Sequence, residues 1–481
     1  MDNNFKKSIV SGFIWSFLGQ GGYLIIGLVA NIILARLLTP FEFGQVGIIM
    51  FFIVIAKVLT ESGLSGALVR KNDATEEDYS TVFIFNLVIS VSLMLLLIVF
   101  SGTISRFYDD PQLKNILIVS SSVLLISAFQ ITQNIKLVRE LQFKKKAKYE
   151  FIAIFLSSII AVVLASNEAG VWSIVAMQIS TVLILTILLW TFEGPLKRFT
   201  FNASSFKKLY KFGINTTLAS LLNTAFDNIY QLILGKYFAI SQTGLYFQGK
   251  KLQQVPVGVI KSTTLGVVFA SLSKVQDDSK QFDYLYNKIV AFFTVIVGAI
   301  CLFVFFYAEN IIMLLYGEKW IDAVFYLQIL IVSSFFYMQE MFNRIIFKVF
   351  DRTEKILHLE IIKKAIQSIS IIIGMFLLNI EVLMYGFLLT SIISFFINFY
   401  VSRKILGNVK WNEVILVFKV ALISIITVLI GFILNNLFEL RMYQTFYLIP
   451  VLILIFILGI QIFKVLNFKN DVSTLLKMLK K

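Results

Sequence analysis

Two charged residues lie one helical turn apart inside an otherwise apolar run of the sequence, residues 43–67. They are Lys57 and Glu61. Because residues i and i+4 share a helix face, these side chains can pair with each other or face a common ligand. A charge within a lipid-embedded helix is costly, so such residues usually face a bundle interior or a water-filled pathway. Both readings remain open, a structural ion pair and a binding site.

A second polar concentration covers the adjoining runs 212–235 and 243–270. Lysine is a strongly hydrated point charge that suits an anionic group such as a pyrophosphate, and Lys250 and Lys251 are therefore candidate ligands. A buried pair between Lys250 and Asp227 is the structural alternative. The other polar residues of these two runs include Asn223, Asn228, Gln231, Gln248, Gln253 and Gln254.

Three further runs carry polar residues. The runs 12–35 and 43–67 hold places in the first half of the chain that are equivalent to those of 212–235 and 243–270 in the second. This correspondence predicts a central polar cavity walled by both halves. The additional candidates are Gln20 and Asn31 in run 12–35, Gln339, Glu340, Asn343 and Arg344 at 322–347, and, less clearly, Gln130, Gln133 and Asn134 in run 115–135.

Cysteine and histidine each occur once, as Cys301 and His358. One cysteine excludes an intrachain disulfide and a multi-cysteine metal site. His358 lies among basic residues with no neighbouring nucleophile. We therefore expect no catalytic residue, no metal and no cofactor, and interpret the protein as a non-enzyme.

The composition requires a membrane to surround these residues. Of 481 residues, 58% are hydrophobic and 15% charged, whereas globular domains contain about 45–50% apolar and about 25% charged residues. Fourteen apolar runs, from 12–35 to 443–463, are each long enough to span a bilayer. Lipid offers backbone groups no partners and the runs lack period-two alternation, so helices are predicted. The fold class is an all-α polytopic membrane protein.

Basic residues alternate in abundance between successive loops. With the N-terminus inside, 32 of the 43 Lys and Arg residues, Lys363 and Arg403 among them, fall in inner segments and 6 in outer ones. Such a bias predicts cytoplasmic termini and a multi-pass topology. The net charge of +15 is then a topology device, and nucleic-acid binding is not expected.

Residues 33–36 and Gly44 resemble residues 233–236 and Gly244, at an offset of 200. Six runs fit in that interval, so the halves have the same orientation, as in transporters built from parallel repeats. We predict an N-lobe at 1–207, a C-lobe at 208–407 and a final helix pair at 408–463. Residues 464–481 are predicted to form a basic amphipathic helix on the inner leaflet.

Several segments resemble the polysaccharide transporter family, which belongs to the multidrug/oligosaccharidyl-lipid/polysaccharide exporter superfamily. The similarity is to its Wzx-type oligosaccharide flippases, in the colanic-acid and teichuronic-acid branch. The segments concerned are residues 12–15, 34–40, 43–44, 61–71, 139–144 and 170–173.

This resemblance implies fourteen helices, as two six-helix lobes and a C-terminal pair, around a cavity with alternating access. The implied cargo is an undecaprenyl-pyrophosphate-linked oligosaccharide, moved from the inner to the outer leaflet of the bacterial cytoplasmic membrane. A polymerase and export machinery are the implied partners, and a monomer is expected. A drug/cation antiporter and a membrane polysaccharide polymerase or ligase are the alternatives.

The resemblance also implies roles for the charged candidates. Cationic residues would hold the pyrophosphate, and carboxylates would carry a coupling ion, either a proton or sodium. The pyrophosphate candidates are Lys57, Lys250, Lys251 and Arg344; the ion-coupling candidates are Glu61, Asp227 and Glu340.

Overall fold

The computed structural model describes residues 3–61, 63–71, 73–196, 199–263, 268–407 and 411–466. Within its helices, the side chains of residues 3–18, 20, 211–216, 259 and 262–263 are outside the description. The predicted cavity residue Gln20 and the predicted tail helix beyond residue 466 therefore lie outside the described residues. Across the described ranges the chain is helical with no strand, which confirms the all-α class.

The chain divides into two compact units, Met1–Phe247 (unit 1) and Gln248–Lys481 (unit 2). Helix α9 begins in unit 1 and continues in unit 2. The first nine helices are α1 (Asn3–Leu37), α2 (Pro40–Glu61), α3 (Leu64–Arg70), α4 (Glu76–Phe107), α5 (Gln112–Arg139), α6 (Phe143–Ser166), α7 (Val171–Phe192), α8 (Ala203–Tyr237) and α9 (Ile240–Thr263).

In its described residues, unit 2 continues with eight helices and two short 3-10 segments, Glu318–Trp320 and Gln444–Leu448. The helices are α10 (Phe269–Ser273), α11 (Ser279–Phe306), α12 (Ala308–Leu315), α13 (Ala323–Val349), α14 (Thr353–Phe376), α15 (Ile380–Ile405), α16 (Asn412–Leu437) and α17 (Ile449–Ile462).

Within the described residues, each of the fourteen predicted runs falls on one or two helical segments. Ten segments in the described part of the chain are long and apolar enough to cross a membrane, so the protein is multi-pass. Helices α8, α9 and α14 are not among the ten, and α1 qualifies only as a shorter apolar helix over Gly21–Leu37. The polar residues of α8 and α9 lower their hydropathy. The count of fourteen spans and the lobe limits at 207 and 407 stay predictions.

Polar residues at the loops fix where several helices begin. Helix α4 starts with a capping box, in which Thr75 Oγ1 accepts from the Asp78 amide and Asp78 Oδ2 accepts from the Thr75 amide at 2.8 Å. These bonds satisfy amide donors that have no partner within the helix. The side chains of Asn202 and Asp278 cap α8 and α11 by accepting from two amides of the first turn.

In unit 1, α2 packs against both α5 and α8, while α1 packs against α6, which in turn packs against α7. Helix α5 also contacts α4 and α7. The small core that joins α3, α4 and α5 includes Leu68, Val82, Phe83 and Ile135. The helices α1, α2, α5, α6 and α7 therefore surround one interior region.

The repeat glycines Gly44 and Gly244 lie where the first turns of α2 and α9 cross. A Cβ atom added to Gly44 would stand 1.9 Å from the carbonyl oxygen of Ile240, and one added to Gly244 would stand 1.8 Å from that of Pro40. The contacts are reciprocal at the offset of 200 that relates the two sequence segments. Only glycine permits this approach of the two backbones.

In unit 2, α13 packs against α11 and α15. Helix α11 also packs against α16, which in turn packs against α17. Their shared core is apolar and includes Phe395, Phe399, Val417 and Val420, each at most 1% exposed. The final helix pair, α16 and α17, therefore packs onto the rest of unit 2 through α11.

Candidate functional site

A cavity of about 810 Å³ opens inside unit 1. Its lining comes from α1, α2, α3, α5, α6 and α7. It lies toward the end of unit 1 where α2, α3 and α5 finish and α6 begins, the end that the charge pattern predicts to be cytoplasmic. We call it the unit 1 cavity.

Lys57 and Glu61 both line the unit 1 cavity from the last turns of α2. Both are exposed, and within the described residues neither forms an ion pair, with the other or with a third group. The structural alternative raised by their spacing, an ion pair along the helix, is thus not formed. Their charged ends remain available to a ligand or to water.

Helix α6 carries a second pair of opposite charges on the cavity wall. Lys146 and Glu150, one turn apart at the start of α6, also line the cavity. Unlike the pair on α2, they are joined in a salt bridge. The four ionisable groups comprise two lysines and two glutamates, so together they carry no net charge.

Neutral polar side chains on α5 and α3 complete the lining. Ser127, Gln130 and Asn134 line the cavity and recur at three- and four-residue spacing, which places them on one face of α5. Ser127 Oγ, Gln130 Oε1, Asn134 Oδ1 and, on α3, Ser65 Oγ are buried without a hydrogen-bond partner. Buried polar atoms of folded proteins are rarely unpaired, so these four oxygens keep hydrogen-bonding capacity that no described side chain uses. The helical spacing of α5 was the sequence signal for this face.

Asn31 of α1 and the polar candidates of α8 lie outside the lining of this cavity. Asn31 and Gln231 are each 2% exposed, whereas Asp227 is exposed and Asn223 and Asn228 are intermediate. Asn228 Nδ2 donates to the Thr224 carbonyl at 2.8 Å within its own helix. The predicted cavity walled by both halves of the chain stays a prediction.

The candidates of α9 differ widely in exposure. Gln248 is fully buried, and neither its amide nitrogen nor its oxygen has a hydrogen-bond partner. Lys250 and Lys251 are half-buried and Gln254 is exposed. Next to them, Gln253 Nε2 donates to Ser334 Oγ at 2.5 Å and so links α9 to α13.

Two predicted site residues of α13, Glu340 and Arg344, belong to one cluster of four charges, with Glu360 and Lys363 of α14. Lys363 Nζ lies 2.5 Å from Glu340 Oε1 and 3.0 Å from Glu360 Oε1. Arg344 Nη1 lies 2.6 Å from Glu360 Oε1 and 3.6 Å from Glu340 Oε1. Glu340, Glu360 and Lys363 are buried, so each charge is neutralised within the cluster.

A second buried network surrounds Glu413 at the first turn of α16. Arg403 forms a salt bridge with it, and Asn343 Nδ2 donates to Glu413 Oε1 at 2.6 Å. Tyr286 donates to Glu413 Oε2 at 3.3 Å, and Ser402 donates to Asn343 Oδ1 at 2.6 Å. The network joins α11, α13, α15 and α16, and its only sequence-predicted member is Asn343.

Gln339, next to Glu340, also has a specific partner. Its Oε1 accepts a hydrogen bond from Thr294 Oγ1 at 2.8 Å, while its Nε2 has no partner. In the described ranges no group of three or more His, Cys, Asp or Glu residues is placed to hold a metal ion. Cys301 is buried with a free thiol, and His358 is exposed, with Nδ1 2.7 Å from the Glu354 carbonyl oxygen of its own helix.

The polysaccharide biosynthesis protein family matches residues 33–325, more than half of the chain. The succinoglycan biosynthesis transport protein ExoT of Rhizobium meliloti (strain 1021) is 25% identical over 317 residues, 66% of this chain and 64% of that protein. The match therefore spans a little less than two thirds of this relative's length. The lipopolysaccharide biosynthesis protein WzxC of Escherichia coli (strain K12) is 21% identical over 84% of this chain and 82% of its own.

The fold is similar to that of a solved transporter. The lipid II flippase MurJ, in an inward closed conformation, superposes with a TM-score of 0.75 at 16% sequence identity. The superposition covers 95% of this chain and all of that one. At this identity the likeness concerns the fold.

Proposed function

The chain belongs to the polysaccharide biosynthesis protein family, and on that premise we propose that it is a lipid-linked oligosaccharide flippase. The predicted resemblance to polysaccharide transporters is thereby confirmed at the level of the family. The proposed cargo is a polysaccharide repeat unit on undecaprenyl pyrophosphate. Transport runs from the inner to the outer leaflet of the bacterial cytoplasmic membrane, with both termini of the chain in the cytoplasm.

The observation that carries this proposal is the unit 1 cavity within a multi-pass protein. An apolar helical chain gains nothing in stability from charges and unpartnered amides facing an open volume. Lys57, Glu61, Gln130 and Asn134 all face that volume. A polar cargo that must cross a lipid layer is a chemical reason for such an arrangement, and the names of the relatives include transport and flippase functions.

Transport of this cargo requires that a polar head group be shielded while its lipid remains in the bilayer. Alternating access meets this requirement, because the cavity opens to one leaflet at a time. Binding and release are the whole of the chemistry, so no bond in the cargo is broken. We therefore propose a transporter and not a polymerase or ligase.

We assign the pyrophosphate to Lys250 and Lys251. Arg344 is held in the charge cluster by Glu360 and Glu340. Lys57 is unpaired but faces the same cavity as two glutamates. Among the carboxylates proposed for a coupling ion, Glu340 is held in the charge cluster by Lys363, whereas no ion pair within the described residues holds Glu61.

Reconstitution in proteoliposomes tests the proposal. Vesicles containing a polyprenyl-pyrophosphate oligosaccharide are treated with a membrane-impermeant reagent that modifies sugars, and exposure of the sugar is followed over time. Wild-type protein should accelerate exposure, and Lys250→Ala/Lys251→Ala should abolish the acceleration. The matched control is Lys148→Ala, which removes an exposed lysine of α6 outside the cavity lining.

The outcome distinguishes the alternatives. Exposure of the sugar at the same rate with folded protein as in protein-free vesicles would refute the flippase. Proton- or sodium-driven uptake of an organic cation in those vesicles would instead favour a drug/cation antiporter. Full acceleration by the well-folded double variant would refute the pyrophosphate assignment alone.

A further inference from the structure

We propose that the unit 1 cavity is a carbohydrate subsite, which binds an uncharged sugar of the cargo apart from its pyrophosphate. This inference rests on the proposed function and adds to it the chemistry that one site recognises. It is carried by three properties of the cavity: its charge balance, its unpartnered neutral groups and its mixed polar and apolar walls.

Charge balance argues against an anionic ligand in this cavity. Lys57 and Lys146 are matched by Glu61 and Glu150, and the pair on α6 is already bridged. A pyrophosphate placed here would meet two carboxylates as well as two ammonium groups. A site for phosphate typically presents an excess of cationic or amide donors. The ligand that these walls favour is uncharged.

The unpaired charges of α2 suit hydroxyl groups. The Glu61 carboxylate has two acceptor oxygens that can take both protons of a vicinal diol, and the Lys57 ammonium can donate to a sugar oxygen. Hydrogen bonds to ionised groups are shorter and stronger than those between neutral groups. Sugars recognised in this way need carry no charge of their own.

The α5 face of the cavity offers neutral donors and acceptors. Gln130, 7% exposed, and Ser127, 3% exposed, each have a side-chain oxygen with no partner, as does Asn134. Sugar hydroxyls both donate and accept, so they can satisfy amide and hydroxyl groups without regard to charge. A hydrocarbon or a lipid tail in this volume would leave all three oxygens unsatisfied.

The remaining walls and the volume agree with a sugar ring. Leu24, Leu124 and Leu185 are apolar, and Tyr23 and Phe143 provide aromatic surface. Sugar rings have apolar C–H faces that pack on such surfaces while their edges form hydrogen bonds. The volume of about 810 Å³ falls within the range of about 300–1,000 Å³ typical of small-molecule sites.

Binding of three synthetic C15 polyprenyl pyrophosphates to the detergent-solubilised full chain tests this inference. The first carries one neutral hexose, the second one uronic acid and the third no sugar. Wild-type protein should bind the hexose probe more tightly than the other two. The double variant Gln130→Leu/Asn134→Leu should bind it about tenfold more weakly, since two neutral hydrogen bonds are lost, while its affinity for the sugar-free probe is unchanged.

The matched control is Gln178→Leu, a half-buried glutamine of α7 outside the cavity lining. It should bind all three probes as the wild type does. Thermal unfolding verifies that every variant is folded. Glu61→Gln provides a second test that does not alter the buried face of α5, and it too should weaken only the sugar-bearing probes.

Three results would overturn the inference. Wild-type affinity of the double variant for the hexose probe would mean that the cavity holds water only. An equal loss for the hexose and sugar-free probes would place the pyrophosphate here. Tighter wild-type binding of the uronic acid probe would mean an anionic sugar. A failure of the flippase proposal is separate: the sugar-dependent loss would persist without any transfer in proteoliposomes.

Discussion

Unit 1 and unit 2 both contain charged side chains within their helices, but these charges have different surroundings. In unit 1, Lys57 and Glu61 lie one turn apart on a cavity wall and form no ion pair within the described residues. In unit 2, Glu340 is buried against Lys363, and Glu413 is buried against Arg403. In these two unit 2 pairs each charge is neutralised by its partner. The charges of Lys57 and Glu61 on α2 are not neutralised by an ion pair within the described residues.

This difference separates two uses of a charged side chain within a membrane protein. A buried ion pair contributes little net stability compared with apolar packing. Removing one partner is nevertheless strongly destabilising, because an uncompensated buried charge remains. The unit 2 networks therefore fix how their helices pack. Unpaired groups beside an open volume have no such role, and their free hydrogen-bonding capacity is available for a ligand.

The largest effect is expected from Arg403→Ala, which leaves Glu413 buried without its cation. We expect a loss of about 3–5 kcal/mol in the free energy of unfolding, measured by denaturant or SDS titration. The double variant Arg403→Leu/Glu413→Leu should recover most of the loss, because no uncompensated charge remains. Equal instability of the single and double variants would contradict the ion-pair account.

A smaller loss is expected from Lys363→Met. Glu340 and Glu360 then lose their shared ammonium, but Arg344 still lies within 3.6 Å of both carboxylates. We expect about 2 kcal/mol, the order found when a buried charged group loses a hydrogen-bond partner. The control is Lys355→Met on the exposed start of α14, which should change the free energy of unfolding by less than about 0.5 kcal/mol. A loss as large as that of Arg403→Ala would mean that Arg344 does not compensate.

The sequence was informative where the physical cause is local. Hydropathy depends on consecutive residues, so the described residues of the predicted apolar runs fall mostly in helices, and the four-residue spacing placed Lys57 and Glu61 on one cavity wall. The charge count placed Lys363 and Arg403 in inner segments and gave no sign of their buried partners on other helices. These partners are Glu340, 23 residues from Lys363, and Glu413, 10 residues from Arg403. Packing between helices decides such pairs, and helical periodicity does not record it.

Replacing the unpartnered amides of the unit 1 cavity should change stability in the opposite direction. In Gln130→Leu, the buried Oε1 that lacks a partner is replaced by an apolar group of similar volume. We expect a gain of about 0.5–1 kcal/mol, because an unsatisfied buried acceptor is removed. Thermal unfolding of the ligand-free protein checks this. Destabilisation by more than about 1 kcal/mol would show that a bound water satisfies Gln130 in the resting protein.

The smallest effect concerns the α2 pair itself and is measured by a double-mutant cycle. Lys57→Met, Glu61→Gln and the combined variant should each change the free energy of unfolding by no more than about 0.5 kcal/mol. Their coupling energy should stay below about 0.5 kcal/mol, as for residues that share no contact. A coupling above about 1 kcal/mol would show that the two groups pair in solution. In that case the contrast between the units would disappear, and Lys57 and Glu61 would join Arg403 and Glu413 as charges that hold helices together.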